Sequence, residues 1–296
     1  MKKFHGTGVA LVTPFNADGS VDYDGLKNLI NYLIDGKVEY LVSLGTTGEA
    51  STLNKEEKKK IWEFTAEING GRVPLVAGIG GNDTAEVVHC IRSFNAIGYD
   101  GILSASPYYN KPTQEGIYQH YKAVSEATEL PIILYNVPGR TASNMTAETT
   151  CRLATDFSNV VAVKEASGNF DQFNQIMRDK PEHFMLISGD DPIALPMISL
   201  GAVGVISVVG NALPESFSRM IRLCLEGNYS EALPIHLDLI DFTRMIFAEG
   251  NPAGVKAALK HYGVCADHVR LPLVSVSEGL RASIVGQLAD RLKVVV

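Results

Sequence analysis

Eight short apolar runs, rich in valine and isoleucine, recur along this 296-residue chain, and each is followed by a longer run with helical periodicity. The short runs are continuously apolar, which is typical of parallel strands that are covered on both faces. Their regular alternation with helices restricts the chain to a few parallel α/β architectures. The predicted strands are Gly8–Thr13, Glu39–Leu44, Pro74–Ile79, Gly101–Ala105, Pro131–Tyr135, Val160–Lys164, Met185–Ser188 and Val203–Val208.

Eight strand-then-helix units in one chain predict an α/β fold of the (β/α)8 TIM barrel type. Amphipathic runs such as Tyr23–Ile34 and Lys55–Ile68 supply the helices. Helical periodicity continues beyond the one helix needed to close the barrel. We therefore expect a catalytic barrel over residues 1–225 and a C-terminal helical extension over residues 226–296 that packs on it. A doubly wound open sheet is the alternative topology.

The net charge of −7 and the pI near 5.5 argue against nucleic acid or an anionic membrane as a partner. The four cysteines are scattered without a C-x-x-C pair, and the seven histidines lack metal-ligand spacing, so we expect no metal and reduced thiols. No apolar run reaches the length of a membrane-spanning helix, and the one near the N-terminus is too short for a signal peptide. We expect a cytoplasmic protein.

Polar side chains gather where the predicted strands end. Active sites of TIM barrels lie at this carboxyl edge, so the clustering predicts a catalytic or binding site. Glycine-rich stretches after the second and third strands lack the spacing of a dinucleotide site or a P-loop, so no nucleotide is expected. The polar side chains at strand ends are Thr46, Thr47, Tyr108, Tyr109, Tyr135, Arg140 and Lys164.

The sixth strand, within the sequence NVVAVKEASG, ends with a lysine. Strand periodicity places Val160, Ala162 and Lys164 on one face, which we assign to the barrel axis, and turns Glu165 outward. On the neighbouring fifth strand, Tyr135 is predicted to face the same interior. We therefore expect the Tyr135 hydroxyl to meet the Lys164 amine at the mouth of the barrel.

An amine in this position is chemically useful when it is uncharged, because only the free base attacks a carbonyl to form a Schiff base. Burial among valine and alanine side chains disfavours the charged form. Tyrosine and threonine hydroxyls can carry protons to and from such an imine. Two alternatives stay open: the lysine extends to water, or it pairs with Glu165 or Asp190. Asp191, directly before Pro192, is predicted to cap the next helix.

Five motifs along the whole chain resemble the dihydrodipicolinate synthase family, which belongs to the pyruvate-dependent class I aldolases together with N-acetylneuraminate lyase. The resemblance implies that pyruvate condenses on a lysine and that the resulting enamine attacks L-aspartate-4-semialdehyde, giving 4-hydroxy-tetrahydrodipicolinate for diaminopimelate and lysine biosynthesis. It implies no cofactor and a homotetramer built from dimers. The motifs are GTTGE at Gly45–Glu49, PYYNKPTQEG at Pro107–Gly116, YNVPGRT at Tyr135–Thr141, VKEASG at Val163–Gly168 and SGDD at Ser188–Asp191.

The resemblance also implies a role for each site residue. Lys164 forms the Schiff base, and three hydroxyl groups relay protons, one of them reaching a neighbouring subunit's site. The relay residues are Tyr135, Thr46 and Tyr109; Thr47 binds the pyruvate carboxylate, Arg140 binds the semialdehyde carboxylate, and Gly189 and Ile206 line the pocket.

Relatives that cleave sialic acid tend to have Ser-Thr in place of the Thr-Thr pair and lack the arginine, so Arg140 and Thr46-Thr47 favour the synthase. An N-acetylneuraminate lyase or a 2-keto-3-deoxy sugar acid aldolase with the same lysine-imine mechanism is the alternative. A barrel that merely binds small acids, and a phosphate-handling barrel enzyme, are the other classes of function that the residues leave open.

Feedback-sensitive members of the family bind lysine at the dimer interface. Where such members often carry histidines after the TLN stretch, this chain has lysines. Their fixed charge would repel cationic lysine, whereas Asn82 and Glu86 would attract it, and we predict weak or absent inhibition. The positions concerned are Ser51, Asn82, Glu86, Tyr108, Lys55 and Lys58.

Overall fold

The computed structural model describes residues 3–294, with side chains through residue 289. Eight parallel strands follow one another in chain order around a closed barrel, and the eighth pairs with the first. This arrangement confirms the predicted TIM barrel and excludes the open sheet. The strands are β1 (Gly6–Ala10), β2 (Tyr40–Ser43), β3 (Leu75–Gly78), β4 (Gly101–Ala105), β5 (Ile132–Asn136), β6 (Val160–Glu165), β7 (Met185–Ser188) and β8 (Gly204–Ser207).

Helices cover the outside of the barrel, and three more follow the barrel-closing helix α9. Short 3₁₀ turns at residues 46–52, 191–193 and 209–211 lie at strand ends. No helix within residues 3–294 is long and apolar enough to cross a lipid bilayer. The helices are α1 (Tyr23–Asp35), α2 (Lys55–Asn69), α3 (Thr84–Ser93), α4 (Gln114–Ser125), α5 (Pro138–Thr141), α6 (Ala147–Asp156), α7 (Phe170–Asp179), α8 (Ala194–Ser199), α9 (Pro214–Leu225), α10 (Tyr229–Phe247), α11 (Ala253–His261) and α12 (Glu278–Val294).

The first strand starts and ends earlier than its sequence predicts. The apolar run at residues 8–13 leaves the strand after Ala10, because the Val12 N–H donates to the Asn211 side chain instead of a neighbouring strand. Gly8 lies inside the barrel, where an added Cβ would come within 2.2 Å of the Tyr40 ring. A glycine at this position therefore leaves room for a tyrosine that fills the barrel interior.

The sixth strand faces the barrel axis only in part as predicted. Ala162 packs in the interior cluster with Ile133, but Val160 belongs to the outer core, so its assignment to the axis is wrong. A register shift in the pairing of β5 with β6 inserts Val161 as an extra residue, and this reverses the alternation below it. Beyond the shift the predicted orientation holds, and Lys164 pairs in register with Tyr135.

Candidate active site

Lys164 is buried at the carboxyl end of β6, with 5% of its surface exposed. Its Nζ lies 4.3 Å from the centroid of the Tyr135 ring, so the two residues meet, but through the face of the ring and not through the predicted contact with the hydroxyl. Within the described residues Lys164 forms no ion pair, which excludes pairing with Glu165 or Asp190. The aromatic face stabilises positive charge on this nitrogen, whether on an ammonium or on a protonated imine.

Gly189, directly after β7, makes room for the stem of this lysine. A Cβ at this glycine would lie 3.1 Å from Lys164 Cγ and 2.8 Å from Ala166 Cβ. The next residue, Asp190, is half-buried, and burial raises the pKa of its carboxyl while the charge of Lys164 opposes the shift. An acidic group thus lies within electrostatic range of the amine.

Glu165 points away from the barrel axis, as predicted, and is fully buried. Burial raises the pKa of this carboxyl, and hydrogen bonds oppose the shift. Asn136 Nδ2 donates to Oε2 at 2.9 Å, Gln172 Nε2 donates to Oε2 at 2.8 Å, and the Ser167 N–H donates to Oε1 at 2.8 Å. The network holds Glu165, the residue that follows Lys164, from behind the strand.

Thr46 and Thr47 begin a 3₁₀ turn after β2. Thr46 is exposed and Thr47 is buried. The turn lies between Leu44 and Glu49, which have φ angles of 57° and 51°, in the left-handed region that is unfavourable for non-glycine residues. A turn with this backbone needs contacts from elsewhere to persist.

Several of those contacts come from the C-terminal part of the chain, and sequence reasoning missed them. Asn251 Nδ2 donates to Thr47 Oγ1 at 3.0 Å. Lys256 Nζ lies 2.6 Å from Glu49 Oε1, and the Arg270 N–H donates to Glu49 Oε2 at 3.0 Å. We refer to Asn251, Lys256 and Arg270 as the C-terminal clamp. The sequence carries no local signal for these contacts, because Lys256 and Glu49 are 207 residues apart.

Four predicted residues lie at the rim or in the wall of the site. Arg140 lies on the one-turn helix α5, is exposed, and has no hydrogen-bond or ion-pair partner among the described side chains. Tyr109 is 86% exposed with a φ of 72°, and Tyr108 is 43% exposed. Ile206 is buried on β8 in the interior cluster. Arg140 is thus available to an anionic ligand.

Asp191 does not cap the next helix, so that prediction is wrong. Its Oδ2 accepts hydrogen bonds from the N–H groups of Val208 and Val209, each at 3.0 Å, and so joins the loops that follow β7 and β8.

A cavity of about 560 Å³ opens beside Asp190 and is walled on one side by α10. Within the described residues, no group of three or more His, Cys, Asp or Glu side chains could hold a metal ion.

The positions that match the lysine site of feedback-sensitive relatives lie on neighbouring units of the barrel. Lys55 at the start of α2 pairs with Glu86 of α3, with Nζ and Oε1 2.8 Å apart and both side chains exposed. The hydrogen bond from Lys55 lowers the pKa of the Glu86 carboxyl. Ser51 and Asn82 are exposed, and Lys58 is half-buried.

Comparisons with known proteins agree on one family. The Dihydrodipicolinate synthetase family model matches residues 3–290. The 4-hydroxy-tetrahydrodipicolinate synthase of Phocaeicola vulgatus is 54% identical over 272 residues, 92% of each chain, and that of Parabacteroides distasonis is 55% identical over 269 residues, 91% of each chain. The crystal structure of dihydrodipicolinate synthase from Aquifex aeolicus is 42% identical, with a TM-score of 0.94 over 97% of this chain and 98% of that chain. The chain therefore belongs to the dihydrodipicolinate synthetase family.

Proposed function

We propose that Lys164 is the Schiff-base residue of a 4-hydroxy-tetrahydrodipicolinate synthase. Family membership makes the chain a lyase-type enzyme that joins pyruvate to L-aspartate-4-semialdehyde. The assignment of the chemistry to Lys164 is carried by one observation: this lysine is buried at a strand end, against the Tyr135 ring, with Gly189 leaving space beside its stem.

In this mechanism the uncharged Lys164 nitrogen attacks the keto carbon of pyruvate, and the carbinolamine loses water to give a protonated imine. The pyruvate methyl group then loses a proton, and the resulting enamine carbon bonds to the aldehyde carbon of the second substrate. Thr47 binds the pyruvate carboxylate, Arg140 binds the semialdehyde carboxylate, and Ile206 and Gly189 line the pocket. The hydroxyls that relay protons are those of Tyr135, Thr46 and Tyr109.

We also propose a homotetramer built from dimers, in which Tyr109 reaches the site of a neighbouring subunit. A tyrosine that is 86% exposed on a left-handed backbone is costly in a lone chain, and burial by a partner would offset that cost. Sedimentation velocity is the direct test.

A cytoplasmic location is proposed as well, supported by four cysteines that are all unpaired. The C-terminal extension (226–296) is in this proposal part of the catalytic unit.

The experiment that tests the activity offers pyruvate with aspartate semialdehyde and, separately, with N-acetylmannosamine. We expect turnover with the first aldehyde only; turnover with the sugar alone would favour the lyase. The Arg140→Ala variant should lower kcat/KM for the semialdehyde about 100-fold, because a charged hydrogen-bonding partner of its carboxylate is lost. Formation of the pyruvate imine, trapped with borohydride, should change little.

Arg178→Ala is the matched control, since the sole ion-pair partner of this surface arginine among residues 3–294 is its neighbour Asp179, and the change should leave both quantities unchanged. Equal losses of semialdehyde turnover and imine trapping in Arg140→Ala would contradict a role in binding the second substrate.

Inhibition by lysine is expected to be weak. The Glu86 carboxylate, which would attract the lysine cation, already pairs with Lys55. Half-inhibition should require lysine well above about 1 mM, and Lys55→His should increase the sensitivity because an uncharged imidazole releases Glu86. Lys59→His on the same helix is the control. Steady-state rates against lysine concentration measure this, and strong inhibition of the unmodified enzyme below that concentration would refute it.

A further inference from the structure

The hydroxyl of Thr47 is held by one contact from the far end of the chain. Asn251 Nδ2 donates to Thr47 Oγ1 at 3.0 Å, and the hydroxyl has no other hydrogen-bond partner among the described residues. Both side chains are buried, with 3% of Thr47 and 8% of Asn251 exposed. Solvent therefore does not compete freely for this hydrogen bond.

A hydroxyl group has one proton and accepts through its lone pairs. Because the Thr47 oxygen accepts from the Asn251 amide, its proton is directed elsewhere, and no described residue accepts it. A free, directed O–H is the group that a carboxylate needs, since a carboxylate only accepts hydrogen bonds. The opposite polarity, in which Thr47 donates to its neighbour, would turn lone pairs toward the anion.

The other end of the Asn251 amide supports a role beyond packing. Its Oδ1 is buried without a hydrogen-bond partner among the described residues. An asparagine that served the fold alone would be expected to satisfy both ends of its amide, since an unpaired buried oxygen is unfavourable. In the part of the chain that the structure describes, Thr47 Oγ1 is the one acceptor for the amide nitrogen of Asn251.

We propose that Asn251 is a positioning residue that fixes the direction of the Thr47 hydroxyl, so that Thr47 donates to the carboxylate of the keto acid. This inference rests on the proposed function, in which Thr47 binds pyruvate. The isosteric Asn251→Asp variant replaces the amide donor by an acceptor and reverses the hydrogen bond. Asn251→Ala removes the partner and leaves the hydroxyl free to rotate.

The test is a double-mutant cycle with Thr47→Val, which keeps the shape of Thr47 without its hydroxyl. The measured quantity is the pyruvate concentration that gives half-maximal borohydride trapping of the imine, with no second substrate present. We expect each Asn251 variant to raise this concentration about 10-fold when Thr47 is intact and less than about twofold in the Thr47→Val background. Lys260→Ala, on the same helix as Lys256 but outside the clamp, is the control for disturbance of α11.

Equal effects of the Asn251 variants in both backgrounds would overturn the inference, because Asn251 would then act on the keto acid directly or through charge alone. No effect in the intact background would overturn it as well. If Asn251→Ala does not fold, as judged by thermal unfolding, the isosteric Asn251→Asp cycle decides. Absence of any trapped imine in the unmodified enzyme would instead refute the proposed function.

Discussion

Replacing Lys164 with methionine should remove turnover, lowering kcat by about 10³-fold or more, and should prevent covalent capture of pyruvate by borohydride. Methionine has a similar length and suits the buried site, so the variant should remain folded. Lys164→Arg keeps the positive charge but cannot form the imine, and it should be equally inactive. The pair of variants separates nucleophilic chemistry from simple electrostatic attraction of an anionic substrate.

The chain contains its own control for this experiment. Lys256 is the other lysine that the structure buries within the described residues, and it is committed to an ion pair with Glu49. Peptide mapping after borohydride treatment should find the pyruvate adduct on Lys164 and none on Lys256. An adduct on any other lysine, or activity retained in Lys164→Arg, would remove Lys164 from the mechanism.

Replacing Lys256 with methionine should destabilise the protein by about 3–5 kcal/mol, because it leaves the Glu49 carboxylate buried without its counter-charge. Lys256 and Glu49 are 0% and 2% exposed, and Lys256 Nζ also donates to the His268 carbonyl at 2.7 Å. Burial lowers the pKa of Lys256, and the contact with Glu49 opposes the shift. Chemical denaturation measures the effect, with the oligomeric state held constant.

The double variant Lys256→Met with Glu49→Gln should recover much of this loss, since no unpaired charge is then buried. Lys3→Met removes the exposed partner of Asp100 and should cost at most about 1 kcal/mol. A similar small effect for Lys256→Met would mean that water or other groups solvate Glu49 and that the clamp contributes little to the turn.

The barrel could be predicted from the sequence because its signal is local: each strand is a short apolar run, and each run is followed by a helix. The orientation of Lys164 also followed from strand periodicity, but Val160 did not, because an extra residue in the pairing of β6 shifts the alternation. A register shift depends on the neighbouring strand, and periodicity within one strand cannot reveal it.

The clamp was not predicted because it joins residues that are far apart along the chain. Asn251 and Lys256 contact the turn after β2 across 204 and 207 residues. An isolated asparagine and an isolated lysine near the C-terminus have no local pattern that distinguishes them from surface residues. The helix cap predicted for Asp191 is wrong because the backbone groups that its carboxylate binds lie in the next loop of the barrel, and the local sequence does not reveal them.

Because the ribosome makes the chain from its N-terminus, the turn after β2 is made well before Asn251, which contacts it. At about 5–20 residues per second, a ribosome makes the turn after β2 about 10 to 40 seconds before it makes the residues that secure Thr47. A nascent chain that stops at Gly250 already carries all eight strands of the barrel. Such a chain lacks all three residues that secure the turn after β2, so this turn can take its final form only after the last strand has long been made.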